Sequence, residues 1–366
     1  MKIVIAGNYG VQNLGDEMIL KGLLQTLRNI MPLAELTVLS GDPTETNRTY
    51  QIDSVEKFPA GFRSFFKNIF HKNNATSKVV KNCDYFILGG GGLFGGPKRR
   101  ANLIWGIQAM MANFYRRKVI MYGQSIGPIN KFIDQFLIKK LFKKAKLIIV
   151  RDNSSKDRLK KFGIKNKIHV YPDLAFRFKI EENSQQRGKR LIVALRQMEN
   201  LSPDFKESIS SFLNWLINEH KWNITFITFQ KGVESDASLH ESIMEMITDK
   251  SYMELIDEHD FEKIIKAYLE SEMVLGMRLH SLISAIKTNT PFIAINYAPK
   301  VKDLLEFSGL EDHFINLDEI TLEKLQDEFS KIIVNKEEII EQLKQYNEKA
   351  KTSHEEMEEL LKDALK

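Results

Sequence analysis

Twice along this chain, short apolar runs alternate with amphipathic stretches of helical period, and nothing else in the sequence restricts the fold as strongly. In the first series Lys2–Ala6, Leu36–Ser40, Tyr85–Leu88, Val119–Tyr122 and Leu147–Val150 read as strands. Asp16–Ile30, Leu103–Arg116 and Phe132–Lys144 read as helices, the first with Asp16 and Glu17 in its opening turn, where negative charge suits the helix dipole. A polar stretch at Ile180–Lys189 then breaks the pattern and reads as a linker. The second series has strands at Arg190–Leu195, Asn223–Thr228, Val274–Gly276 and Phe292–Ile295, with helices at Phe205–His220 and Ser281–Lys287. This alternation predicts an α/β fold with parallel, doubly wound sheets. The expected division is a basic N-terminal domain over 1–180, a second domain over 187–335, and a long charged C-terminal helix over 336–366. An apolar stripe of Ile339, Ile340, Leu343, Tyr346, Met357, Leu360 and Leu361 predicts that this helix lies across a surface.

At 366 residues, 43% hydrophobic and 28% charged, the chain has enough apolar content for two full cores. A lone cysteine, Cys83, excludes an internal disulfide and a cysteine-based metal cluster, and fits a reducing compartment. The opening apolar run is too short for a signal peptide, and no run is long enough to span a bilayer. The sequence therefore predicts a cytoplasmic protein. Its charge is lopsided: residues 1–180 carry 31 Lys and Arg against 12 Asp and Glu, whereas residues 181–366 carry 22 against 36. Such asymmetry suggests that the first half meets something anionic: nucleic acid, a membrane surface or a phosphate-bearing substrate.

Several inferred strands end in loops rich in glycine or in charge. Gly7-Asn-Tyr-Gly10-Val-Gln-Asn13-Leu-Gly15-Asp16-Glu17 follows the first strand. It matches neither a Walker loop nor a dinucleotide fingerprint, so it reads as a backbone cradle at a helix N-terminus or as a tight turn with ordinary capping. Gly89-Gly90-Gly91-Gly92 follows Leu88, and Gly123-Gln124-Ser125-Ile126-Gly127 ends the next strand. Four consecutive glycines cost entropy and make sense where a ligand lies against bare backbone. Arg151-Asp152 ends a further strand; Arg151 reads as an anion ligand or as the partner of Asp152 or Asp173, and Asn153 or Ser154 as a helix cap. In the second half, Met277-Arg278-Leu279-His280 places a fixed cation and a titratable ring at a strand end, where open α/β sheets bind ligands.

In order, GNYGVQNLGDE, GGGGLF, GQSIGP, RDNSS, YPDLAF, MRLHSLISA and NYAPKV resemble the polysaccharide pyruvyl transferase family, especially its CsaB-like cell-wall branch, over roughly residues 1–310. The resemblance implies two Rossmann-like domains facing across a cleft in a GT-B-like arrangement, with a C-terminal crossover helix. It implies transfer of pyruvate from phosphoenolpyruvate (PEP) to two hydroxyls of one sugar, as a cyclic ketal, with release of phosphate. It also implies that the first domain's loops hold the sugar acceptor, through Gly10, Asn13, Gly15, Asp16, Gly90, Gly91, Gly92, Gln124 and Ser125. The acceptor that the family suggests is a lipid-linked sugar diphosphate.

The residue types suit that chemistry. PEP carries a phosphate and a carboxylate, so Arg278, Lys300 and Arg196, each near an inferred strand end, are its expected ligands. Protonation of the PEP methylene carbon and attack by a hydroxyl need an acid and base poised near neutral pH, and His280 suits that best. Arg151 is assigned to the chemistry beside it, and His169 to a structural role. The scheme requires no metal or cofactor. The competing readings are a GT-B glycosyltransferase with a nucleotide-sugar donor and a basic nucleic-acid-binding protein, the latter without any zinc, RNP or helix-turn-helix signature. Two stretches interleave aromatics with cations. Phe62–Lys72 is expected to dock on an anionic membrane, making the enzyme peripheral. Lys131–Lys144 reads instead as a solvated face over a core stripe.

Overall fold

The computed structural model describes residues 1–58, 74–95, 100–178, 180, 187–199, 201–232 and 235–366. The Phe62–Lys72 segment, Lys98-Arg99 and most of the polar linker lie outside the described residues. The chain forms two compact units. One comprises Met1–Val11, Asp16–Phe178 and Ala350–Lys366, the other Gln12–Gly15 and Lys179–Lys349.

The first unit is built on β1 (Lys2–Ala6), β2 (Glu35–Ser40), β3 (Asp53–Glu56), β4 (Tyr85–Leu88), β5 (Gly91–Phe94), β6 (Lys118–Ile126), β7 (Leu147–Val150) and β8 (His169–Val170). Their order is β3-β2-β1-β4-β6-β7-β8, with β5 also beside β6, and every pairing is parallel. The YFIL of β4 and the LIIV of β7 are buried along their whole length, as strands covered by helices on both faces must be. Cys83 is buried at the end of the Ala75–Asn82 helix, where its Sγ donates to the Val80 carbonyl and burial pushes its thiol up to about 12.

The second unit holds β9 (Gly188–Ala194), β10 (Asn223–Ile227), β11 (Met253–Ile256), β12 (Ser271–Gly276), β13 (Phe292–Asn296) and β14 (Phe314–Asn316). They run β11-β10-β9-β12-β13-β14, again all parallel. This is the Rossmann strand order, whose direction reverses between its first and fourth strands, here β9 and β12. The Pro203–His220 helix opens on Ser202, whose hydroxyl caps the Phe205 amide. Two local readings are corrected. Asp152, not Asn153 or Ser154, caps the Asn153–Lys161 helix, because its carboxylate accepts the Ser155 amide at 2.6 Å. The helix after β12 begins at Leu279, with the Arg278 carbonyl already accepting from Ser281 and Leu282, so His280 lies inside its first turn.

The C-terminal helix, Lys336–Ala364, serves both units in turn. Within the second unit its apolar face buries Ile339, Leu343 and Tyr346, and Asn347 donates to the Ile286 carbonyl at 2.6 Å. Within the first it buries Met357 and Leu361, pairs Glu358 with Arg177, and sets the His354 ring against the Asp173 carbonyl at 3.2 Å.

The glycine run after β4 is used largely by the fold itself. A Cβ on Gly89 would stand 2.1 Å from the Tyr9 hydroxyl, and one on Gly90 would stand 2.9 Å from the Gly123 carbonyl oxygen. Gly91 has φ of +99°, which a side chain would strain. Gly92 alone of the four is exposed, with open space where a Cβ would point. The Tyr9 hydroxyl is fully buried and has no hydrogen-bond partner among the described residues. Gly89→Ala is therefore expected to destabilise the protein by about 1–3 kcal/mol through overpacking. Tyr9→Phe should be neutral or stabilising alone, and should recover most of that loss in the double variant. Thermal melts of the four proteins check this; a double variant no better than Gly89→Ala places the clash elsewhere.

Candidate functional site

Three cations gather at the carboxyl ends of three adjacent strands of the second unit. Arg196 lies two residues beyond β9, Arg278 two beyond β12, and Lys300 in the first turn of the Pro299–Ser308 helix that follows β13. Two of them, Arg196 and Lys300, meet at Tyr297. Arg196 donates from Nη1 to the Tyr297 hydroxyl at 2.9 Å, with its guanidinium carbon 5.0 Å from the ring centroid. The Lys300 ammonium stands 5.2 Å from the same centroid. Burial alone raises the pKa of a phenol, yet Lys300 first, then Arg196 and more weakly Arg278, outweigh it and hold Tyr297 below the ordinary phenol value. The site favours negative charge strongly enough to make a phenol more acidic.

Arg278 is aimed by a buried carboxylate. Asp236 is 0% exposed and takes the Nε and Nη2 edge of Arg278 at 2.9 and 2.5 Å. Its remaining acceptor capacity goes to the backbone amides of Gln197 at 3.1 Å and Gln230 at 3.0 Å. The carboxylate thus fixes one guanidinium edge, and the Nη1 atom takes no part in that fork. Beside it His240, fully buried, accepts the Leu195 amide through Nε2 at 3.2 Å. Burial lowers its pKa to about 4; Asp236 pulls the other way, and Arg278, a weaker influence than Asp236, adds to the lowering.

The segment Gln12–Gly15 belongs with this cluster. Asn13 forms an antiparallel bridge with Gln230, its Nδ2 donating to Gln230 Oε1 at 2.7 Å, while Leu14 donates its amide to the Phe229 carbonyl at 2.8 Å. A Cβ on Gly15 would fall 2.1 Å from His280 Nδ1. Only a glycine allows the backbone so near the imidazole.

The other expected residues lie in the first unit. Asp16 accepts from Asn8 Nδ2 at 2.8 Å, and its Oδ1 would lie 3.2 Å from a Cβ on Gly91. Gly10, at φ +65° and packed against Ser40, donates its amide to Glu17 at 2.8 Å; the Tyr50 hydroxyl donates to the same carboxylate at 2.8 Å. Burial raises the Glu17 carboxyl, partly offset by those two hydrogen bonds. Gln124 and Ser125 are buried. Gln124 braces the glycine loop by donating to the Leu88 and Gly89 carbonyls at 2.8 and 2.7 Å, and Ser125 donates to Asp152 at 2.7 Å. Arg151 is in a buried ion pair with Asp173 at 2.5 Å, the structural alternative that its sequence allowed. His169 stacks on Tyr171.

Tyr297, Asp236 and Glu17 are the groups that sequence reasoning passed over. Tyr297 was visible only as the neighbour of Lys300, and Glu17 as a helix-opening acid. Asp236 sits in a polar stretch, Gly232–Ser238, whose composition gives no sign that its carboxylate is buried.

A family model for polysaccharide pyruvyl transferase matches residues 13–299. The amylovoran biosynthesis protein AmsJ of Erwinia amylovora is 21% identical over 94% of each chain. Among solved structures, that of S. aureus MnaA with UDP matches at a TM-score of 0.64, 13% identity, over 94% of this chain and 90% of that one. A glycosyltransferase from Rickettsia africae matches at 0.63, 12% identity, over 100% and 99%. At such identities the likeness shows the fold alone: an α/β, GT-B-like architecture of two Rossmann-like parallel-sheet units.

Asp236→Ala should destabilise the protein by about 3–5 kcal/mol, since it leaves Arg278 partly buried without its counter-charge. The His240 ring is neutral in the fold, with its pKa below the unfolded value. Its contribution is complete above pH 6.5 and is lost as pH falls through about 4. Chemical denaturation at stepped pH should therefore show stability falling across that window, and His240→Gln, which keeps an acceptor for the Leu195 amide, should flatten the slope.

Proposed function

The chain belongs to the polysaccharide pyruvyl transferase family, and from that premise we propose that it moves pyruvate from PEP onto two hydroxyls of one sugar in a polysaccharide precursor. The observation that carries this is the gathering of Arg196, Arg278 and Lys300 at adjacent strand ends, with Arg196 and Lys300 against Tyr297. PEP bears a phosphate and a carboxylate on adjacent atoms of a small molecule, and three fixed cations on one sheet edge answer that charge. The helices starting at Leu279 and Pro299 add the positive ends of their dipoles to the same edge.

In the proposed reaction, the PEP methylene carbon takes a proton and C2 becomes electrophilic. One sugar hydroxyl adds to C2 and gives up its proton. The second hydroxyl then displaces phosphate, which carries away that hydroxyl's proton, and closes the ketal. His280 is the proposed proton handler, positioned by the helix turn that carries it and by the close backbone of Gly15. Tyr297 is the proposed donor of a hydrogen bond to a PEP oxygen, its hydroxyl already oriented by Arg196. Asp236 acts through Arg278, whose Nη1 side is left for the substrate.

The sugar is proposed to bind through the first unit's loops, where Asp16, the Gly10 carbonyl and exposed Gly92 offer hydrogen-bonding groups for hydroxyls. Gln124 and Ser125 support that loop set from beneath. Arg151, paired with Asp173, is proposed to position this unit's loops for the chemistry. The acceptor is proposed to be lipid-linked, which accords with the excess of cations over residues 1–180.

Incubation with PEP and a panel of sugar acceptors should release phosphate and add the mass of a pyruvyl ketal. Release of a nucleoside diphosphate from a nucleotide sugar, with PEP untouched, would overturn this reading in favour of a glycosyltransferase. His280→Ala should abolish turnover with an unchanged melting curve; retained turnover removes His280 from the mechanism. Arg278→Ala and Lys300→Ala should raise the KM for PEP at least tenfold. Tyr297→Phe, which keeps the ring but not the hydroxyl, should do so by about three- to tenfold, the worth of one hydrogen bond. Arg151→Ala is expected to lower turnover as well, and is read beside a melt because it strips Asp173 of its buried partner.

A further inference from the structure

The Phe132–Lys143 helix does not bury its aromatic side as a core stripe. Phe132 is 81% exposed, Ile133 59% and Phe136 57%, while Ile138, Leu141 and Phe142 face the core. Across from them, on the Arg100–Phe114 helix, Phe114 is 56% exposed. Between the two helices runs a groove of about 460 Å³, floored by Leu103, Met110, Leu137 and Leu141 and walled by Ile133, Phe136 and Phe114. The side chains follow helical spacing on both helices, so they form one continuous apolar strip. Contiguous exposed apolar surface of this kind marks an interaction site.

Its exposed charges are lysines. Lys140 and Lys144 line the groove itself, and Lys131 and Lys143 are exposed on the same helix. The only acid of that helix, Asp134, also lines the groove but is itself buried. Aromatic and aliphatic side chains standing clear of the surface, ringed by lysines, match the boundary between acyl chains and anionic headgroups.

We propose that the face formed by the Arg100–Phe114 and Phe132–Lys143 helices docks the protein on an anionic lipid bilayer, with Phe132, Ile133 and Phe136 entering the headgroup boundary and the lysines pairing with lipid phosphates. The charge complementarity selects this occupant over an apolar peptide or a second copy, because two such faces would oppose lysine to lysine. The assignment does not depend on the donor chemistry proposed above, since vesicle binding needs neither PEP nor a sugar.

The test is co-sedimentation of the full chain with vesicles of phosphatidylglycerol and phosphatidylcholine, and with phosphatidylcholine alone. Binding is expected to the anionic vesicles and not to the neutral ones, and to weaken with salt. Phe132→Ser with Phe136→Ser should reduce partitioning about tenfold or more. Lys140→Gln with Lys144→Gln should reduce it by roughly 25-fold, about fivefold for each lysine. Both substituted pairs sit on exposed surface and should leave the melting curve unchanged. Equal sedimentation of wild type and variants, or no binding of wild type to anionic vesicles, overturns the proposal. So does a wild-type dimer in analytical ultracentrifugation that Phe136→Ser dissociates, which would make this face an interface between copies.

Discussion

A single buried carboxylate organises the second unit's sheet edge. Asp236 receives two nitrogens of Arg278 and the backbone amides of Gln197 and Gln230, which come from the loops after β12, β9 and β10. An unpaired carboxylate in that position would be untenable, so the three loops are obliged to converge. Gln230, fixed through its amide, then offers its side chain to Asn13 and so seats the Gln12–Gly15 segment against His280. The direction in which Arg278 points and the surroundings of the proposed proton handler therefore share one origin.

The parallel sheets were legible because strands covered on both faces must be continuous apolar runs, and β1, β4, β7 and β13 are. Edge elements escaped notice for the converse reason. β3 is DSVE and the Pro43–Tyr50 helix is polar almost throughout, so neither carries a pattern that separates it from a loop. Arg196, Arg278 and Lys300 were readable as strand-end cations. That their strands are neighbours was not, because β9 and β12 pair across more than eighty residues of chain. Tyr297 gained its significance only from that adjacency.

The glycine-rich loops show how a sequence signal can be right about constraint and incomplete about its cause. Gly89 and Gly90 are required, but by the Tyr9 hydroxyl and the Gly123 carbonyl. Gly15 is required by the nearness of His280. The same absence of a side chain serves internal packing in one loop and the surroundings of a titratable ring in another, and composition does not separate the two.

The path of the chain between its two units has a further consequence. It leaves the first unit after Val11, returns at Asp16, leaves again after Phe178, and comes back at Ala350 within an unbroken helix. No single cut of the polypeptide yields two whole pieces. A fragment ending in the linker would lack the residues from Ala350 onward that cover Asp173 and Arg177, and its complement would lack Gln12–Gly15, whose Gly15 borders His280. The protein is two units by packing but one by covalent logic, so synthesis must reach the final helix before the first unit holds all its parts.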